Sequence, residues 1–186
     1  NGDSLVNVSA EERKKALVDY ALPKNIKKMQ ADMEKYKIFY DKWFFESELH
    51  KSGAVKAVVD LLTKKGLTYE KEGAVWYKNK EVLTQKLLKE GKSQKYIDNR
   101  ELKDDVLIRQ NGNPTYFTAD IAYHKNKFDR GFTTLIDVWG ADHHGHVMRM
   151  KGAMDAIGYD GDKLNVVLMQ LVKLVKDGEL VKMSKR

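Results

Sequence analysis

The sequence predicts an α/β protein whose carboxyl-terminal part winds a parallel sheet with crossover helices. Three observations carry this. Residues 135–139 and 164–170 are short apolar runs without alternation, the pattern of strands buried on both faces. A helical pattern precedes each run, over residues 118–128 and 143–158. An extended segment at 115–117 leads into the first helix, so two strand–helix–strand steps follow in succession, and such steps build a parallel sheet; residues 106–109 read as a separate strand before them. Ligands of such sheets bind at the carboxyl ends of the strands.

The elements before this region are mixed. Ser9 with Glu12 three residues on forms a capping box, and Ala16, Leu17, Tyr20 and Ala21 share the face of the helix it starts. Pro23 interrupts that helix, since proline lacks the amide hydrogen a helix interior needs, and a second amphipathic stretch carries Ile26, Met29, Met33 and Tyr36. The aromatic residues 38–45 predict a strand. Ser52 opens a helix with Val55, Val58, Val59 and Leu62, which stops at Gly66. Residues 67–70 and 74–77 make a hairpin around Lys71, Glu72 and Gly73. Residues 79–103 are highly charged, with a short stripe of Val82, Leu83, Leu87 and Leu88, and read as a solvated insertion. Asn111-Gly112-Asn113-Pro114 is a turn, and Asp177-Gly178 joins two short strands near the end. The organisation predicted is a helical segment over 1–37, a connecting region over 38–104 and the parallel-sheet part over 105–186.

With 186 residues the chain is long enough for a real core. Its net charge of +7 suits a polyanionic partner, nucleotide or nucleic acid, although a diffuse basic surface gives the same number. The absence of cysteine excludes disulfides and thiolate metal sites and favours an intracellular setting. No apolar stretch is long enough for a membrane helix, and the start lacks the features of a signal peptide. A first residue other than Met and an abrupt end predict a piece of a longer protein.

Three constellations carry chemistry. Gly140-Ala141-Asp142-His143-His144-Gly145-His146 stands where a strand ends and a helix begins. The free amides of a helix start suit phosphate or carboxylate, Asp142 can accept hydroxyls of a ribose, and His143, His144 and His146 offer donors without permanent charge. Plain helix capping competes for Asp142 and the histidines. A metal site needs more ligands than Asp142 and His146, the two that share a helix face, so no metal ligands are assigned. Lys182-Met183-Ser184-Lys185-Arg186 places three cations and a hydroxyl where they can close over polyphosphate and offset charge on leaving pyrophosphate, or form only a solvated basic tail. Asp120, in the predicted first turn of its helix, either binds a guanidinium in a two-pronged fashion or simply favours the helix dipole, and Tyr116 offers a hydroxyl or a flat face beside it.

These residues together resemble the class I aminoacyl-tRNA synthetases, and specifically the arginyl-tRNA synthetases. The closing Lys182-Met183-Ser184-Lys185-Arg186 matches the lysine loop of the class letter for letter. Tyr116-Phe117-Thr118-Ala119-Asp120 through His124, Gly140-Ala141-Asp142-His143-His144-Gly145, and residues 172–178 resemble the second half of arginyl catalytic domains. Residues 43–48, with Glu46 and Glu48 as supporting acidic candidates after a strand, and 69–76 resemble the connecting region. The likeness spans roughly residues 38–78 and 104–186, and residues 79–103 are longer and more charged than the family pattern.

The resemblance implies the second half of a Rossmann-like parallel-sheet nucleotide-binding catalytic domain with an α+β connecting insertion, in a cytoplasmic enzyme. It implies ATP-dependent ligation of arginine to tRNA with Mg²⁺ as cofactor. Tyr116, Asp120 and His144 would hold arginine, with Asp120 facing the guanidinium. Gly140, Asp142 and His143 would lie near the ATP sugar and adenine. Lys182, Ser184, Lys185 and Arg186 would handle the phosphates.

His143-His144-Gly145-His146 also fits the His-x-Gly-His motif of the class, but that motif belongs far upstream on the first strand–helix turn, and the flanks here match the second-half motif. The first half of the nucleotide fold, the anticodon-binding domain and the N-terminal tRNA-contacting domain are therefore expected elsewhere, and the 186 residues alone are expected not to aminoacylate. Two other readings stand beside this one: a small nucleotidyltransferase using His143 to His146 as its catalytic pair, and a non-catalytic basic module that binds RNA.

Overall fold

The computed structural model of the chain describes residues 2–181. The chain divides into two compact units, Asn1–Phe44 and Phe45–Arg186.

The first unit is built on helix α1, Ala10–Lys35. The capping box is formed: Glu12 N donates to Ser9 Oγ at 3.2 Å, and Ser9 N donates to Glu12 Oε2 at 3.0 Å. The Arg13 guanidinium reaches back to the carbonyls of Leu5 and Val6, both at 2.8 Å, and ties the leading turn to the helix. Pro23 does not interrupt α1, contrary to expectation. A proline removes one backbone bond, while Ala, Leu, Lys, Met, Gln and Glu on both sides favour the helix, so it runs through. None of its residues is buried. The strand expected over 38–45 is not formed either; the segment is irregular up to the next helix, and no strand pairs with it.

The second unit starts with α2, Glu46–Lys51, so Glu46 and Glu48 sit in a helical first turn and not after a strand. Helix α3, Ala54–Lys64, buries Val55, Val58 and Leu62, and it is capped by Gly53 rather than Ser52. It ends in a Schellman motif, with Leu67 N donating to Leu62 O at 3.0 Å and Gly66 N to Thr63 O at 2.9 Å. Gly66 takes the positive φ of 72° that this ending needs. Strands β1, Thr68–Lys71, and β2, Ala74–Tyr77, pair across Glu72 and Gly73, both at positive φ as a type I′ turn requires.

Residues 79–103 are not a solvated insertion. They form α4, Asn79–Lys89, and α5, Gln94–Asp98, and they bury Asn79, Leu83, Leu87 and Ile97. The short apolar stripe packs α4 on α7 (His144–Ile157), while the charges that dominate the composition face water.

Strand β3, Asp105–Ile108, pairs antiparallel with β2, completing a three-stranded sheet. The first of the two expected strand–helix–strand steps is not formed, because residues 115–117, expected as its leading strand, are the N-cap and first turn of the next helix. The tight hairpin leaves the open edge of β2 beside β3, and pairing there uses that strand. Helix α6, Tyr116–Asp129, starts two residues earlier than expected, because Thr115 is already its N-cap and accepts from Thr118 N. The second step is realised: β4, Leu135–Gly140, crosses through α7 to β5, Leu164–Met169, and the two strands pair in parallel from Leu135↔Leu164 to Gly140↔Met169. A hairpin of β6, Leu174–Lys176, and β7, Glu179–Val181, follows across Asp177 and Gly178.

The core gathers Val58, Leu62, Leu83, Leu107, Ile121, Met150, Met154 and Leu164 from helices and from strands β3 and β5, all fully buried. Each such side chain contributes about 1.5–3 kcal/mol by leaving water. Strand β4 alternates: Leu135 and Asp137 are buried, while Ile136 and Val138 are 68% and 66% exposed. Its continuous apolar run thus has one covered and one open face here, in place of the two buried faces the pattern predicts.

Candidate functional site

The carboxyl end of β4 leads through a 3-10 turn, Ala141–His143, into α7, and α6 lies alongside. Between them opens a cleft of about 380 Å³, lined by Asp120, Tyr123, His124 and Lys127 of α6, residues 137–140 of β4, and His143 and His146. The α6 contribution follows from helical spacing: positions 120, 123, 124 and 127 fall on one face.

The floor of the cleft is a buried polar network. His124 Nε2 lies 2.5 Å from Asp137 Oδ2, and His124 Nδ1 lies 2.7 Å from the Asp120 carbonyl oxygen. Lys127 Nζ donates to Asp137 Oδ1 at 2.6 Å. His124 and Asp137 are 3% and 8% exposed. Burial pushes the Asp137 carboxyl up, but the hydrogen bonds and charges of His124 and Lys127 outweigh it and hold the group below the usual carboxylate range.

Above the floor, His146 Nε2 stands 3.3 Å from Asp120 Oδ2. The His146 ring is packed between Trp139, at 5.2 Å between centroids, and Phe117, at 5.6 Å. The Arg149 guanidinium also lies over the Phe117 ring, at 4.9 Å, and forks onto Asp105. Burial raises the Asp105 carboxyl, and Arg149 only partly offsets it.

The expected site residues divide as follows. Asp120, Gly140 and His143 meet at the cleft. Asp120 lies beyond the first turn of α6, which holds no acidic residue, so a dipole role does not account for it. Asp142 sits in the 3-10 turn beside them, 72% exposed in its side chain, and it does not cap α7, whose N-cap is His143 without a side-chain bond. Tyr116 is the first residue of α6 and 78% exposed, outside the cleft lining. His144 lines a neighbouring groove with Asn79, Asp105 and Arg149. Positions two apart on a helix face different ways, so His146 rather than His144 turns to Asp120. Lys182, Ser184, Lys185 and Arg186 lie outside the described residues.

Tyr123, His124, Lys127, Asp137 and Trp139 were not singled out from sequence. Two signals for them exist: a polar stripe on one helical face of α6, and an acid between Ile136 and Val138 in an otherwise apolar strand.

No family model matches the chain. Curated relatives do. The arginine–tRNA ligase of Ruminiclostridium cellulolyticum is 51% identical over 187 aligned residues, covering all of this chain and 30% of that protein. The arginine–tRNA ligase of Caldanaerobacter subterraneus is 54% identical with the same coverage. Among solved structures, an arginyl-tRNA synthetase of Campylobacter jejuni superposes with a TM-score of 0.73 at 37% identity, covering 94% of this chain and 34% of that one. The arginyl-tRNA synthetase of Thermus thermophilus shares the fold with a TM-score of 0.65 at 18% identity, covering 86% of this chain and 32% of that one.

These likenesses are to arginine–tRNA ligases and arginyl-tRNA synthetases, members of the aminoacyl-tRNA synthetases. The chain is similar over its whole length to these arginine–tRNA ligases, and it spans about 30% of the length of the curated relatives it matches.

Proposed function

We propose that the chain is part of an arginine–tRNA ligase, contributing the second half of a Rossmann-like nucleotide-binding catalytic domain and the arginine-recognising wall of its active site. The observation that carries this is the meeting of Asp120 with Gly140 and His143 at the carboxyl end of a parallel strand, in a chain related throughout its length to arginine–tRNA ligases. The open apolar face of β4 and β5 also suits one half of a larger parallel sheet.

In this reading Asp120 accepts the substrate guanidinium through paired N–H···O bonds, which lysine cannot reproduce. Tyr116, outside the cleft lining, is a further contact to arginine in this reading. Gly140 lets the ATP sugar approach the backbone, Asp142 accepts its hydroxyls, and His143 borders the base. Lys182, Ser184, Lys185 and Arg186 hold the phosphates. A carboxylate oxygen of arginine attacks the α-phosphorus, the bond to pyrophosphate breaks, and arginyl-adenylate forms. A ribose hydroxyl at the tRNA end then attacks the arginyl carbonyl, and AMP leaves. Mg²⁺ would arrive with ATP, held by its phosphates, where it would offset their charge. No helix among the described residues is long and apolar enough to cross a membrane.

The test is ATP-dependent attachment of labelled arginine to tRNA by the full-length protein. Asp120→Asn raises KM for arginine by about a hundredfold, the effect of losing a charge-assisted pair, while KM for ATP stays as it is. An unchanged KM for arginine would remove Asp120 from the site.

A further inference from the structure

We propose that His146 is a positioning residue for the guanidinium site. Its Nε2–H holds one oxygen of the Asp120 carboxylate and leaves the full negative charge of that group for the incoming cation. The inference rests on the assignment of Asp120 made above.

Three observations support it. First, the hydrogen bond itself: His146 Nε2 to Asp120 Oδ2 spans 3.3 Å, and the described residues make no hydrogen bond to Asp120 Oδ1. A carboxylate offers about four lone-pair sites, so one bond from His146 still leaves room for a two-pronged guanidinium. Second, the ring is fixed. Trp139 and Phe117 flank it, and the His146 side chain is 17% exposed, whereas Asp120 is 47% exposed at the cleft. A donor held between two rings beside an exposed acceptor sets the acceptor's direction. Third, the backbone below Asp120 is clamped independently, by His124 on its carbonyl, so what remains to be oriented is the carboxylate.

The choice of histidine has a chemical reason. A lysine or arginine at position 146 would pair with Asp120 as a permanent cation and compete with the substrate for it. A neutral imidazole donates one hydrogen and cancels no charge. Phenylalanine would fill the same slot between Trp139 and Phe117 without a donor, which separates positioning from packing.

The experiment uses the full-length protein and reads KM for arginine, KM for ATP and the thermal midpoint in three variants. In His146→Phe, KM for arginine rises about tenfold, the loss of one hydrogen bond to a charged group, with KM for ATP and the midpoint held. His146→Gln, which keeps a donor, stays within about threefold of wild type, and His146→Lys raises KM for arginine beyond the Phe variant. An unchanged KM for arginine in His146→Phe overturns the inference. So does a parallel rise of both KM values with a lowered midpoint, the mark of a packing role. If Asp120→Asn moves KM for arginine and His146→Phe does not, only the inference about His146 falls. If neither variant moves it, the assignment of Asp120 falls with it.

Discussion

His124 Nε2 lies 2.5 Å from Asp137 Oδ2, so one buried imidazole joins helix α6 to strand β4 beneath the cleft. The same ring reaches the Asp120 carbonyl, and Lys127 holds the other oxygen of Asp137. The network therefore fixes the position of Asp120 relative to Gly140. Removing one member of such a buried set strands its partners. Asp137→Asn keeps the shape and removes the charge that two cation-capable groups face. The expected loss is about 3 kcal/mol, read as a lower urea midpoint at unchanged slope. A loss below about 1 kcal/mol, in the range of ordinary substitutions, would mean that the pair is solvated in solution.

The same carboxylate gives the fold an acid limit. Its pKa is lower in the folded protein than in the unfolded chain, where it is about 3.9. Stability from a depressed carboxylate is fully present above the unfolded value and is lost as pH falls through the folded one. Other depressed acids, such as Asp129, contribute to acid unfolding in wild type and variant alike. The difference between wild type and Asp137→Asn should therefore be flat above about pH 5 and shrink below about pH 4. Urea midpoints collected across this range would read it, and two parallel curves down to the acid end would refute it.

Tyr77 makes the opposite case. It is fully buried on β2, 6.2 Å from the Phe117 ring, and its hydroxyl has no hydrogen-bond partner among the described residues. Burial raises its phenol well above the ordinary value. A buried hydroxyl without a partner costs about 1–3 kcal/mol, so Tyr77→Phe is expected to stabilise the protein by about 1 kcal/mol. Thermal unfolding in the full-length protein measures it. A destabilised variant would show that the hydroxyl bonds to ordered water.

How much of this was legible beforehand depends on the range of the interactions. The β4–α7–β5 step and the Asp177-Gly178 hairpin follow from local pattern, and both are present. The first strand–helix–strand step failed because residues 115–117 cap and start α6 instead of forming a strand, and pairing is a long-range choice: residues 105–108 joined a hairpin some thirty positions upstream. The charge count of residues 79–103 outweighed the visible apolar stripe, which packs α4 on α7, since composition weighs the solvated face as heavily as the buried one. At the site, motif order pointed to Asp120, Gly140 and His143, which do meet. It did not point to His124 or Asp137, because their roles arise only once α6 lies against β4. The choice between His144 and His146 needed the phase of α7, which shifts with the 3-10 turn before it.

Gly140 offers the most direct check on the nucleotide side of the cleft. Its φ of −64° is open to any residue, so the position does not demand glycine on backbone grounds. What an added Cβ meets is Asp142, its Oδ1 at 2.5 Å and its Cγ at 3.7 Å, and then His143 Cδ2 at 3.8 Å. The Asp142 side chain is 72% exposed and can swing away into water, so Gly140→Ala should cost the fold only about 0.5 kcal/mol. The same displacement removes the carboxylate proposed to accept the ribose hydroxyls and sets a methyl where the sugar would approach. KM for ATP is therefore expected to rise about tenfold, the equivalent of 1.4 kcal/mol, with KM for arginine unchanged. Equal KM values for ATP in wild type and variant, at equal stability, would place the nucleotide elsewhere on the protein.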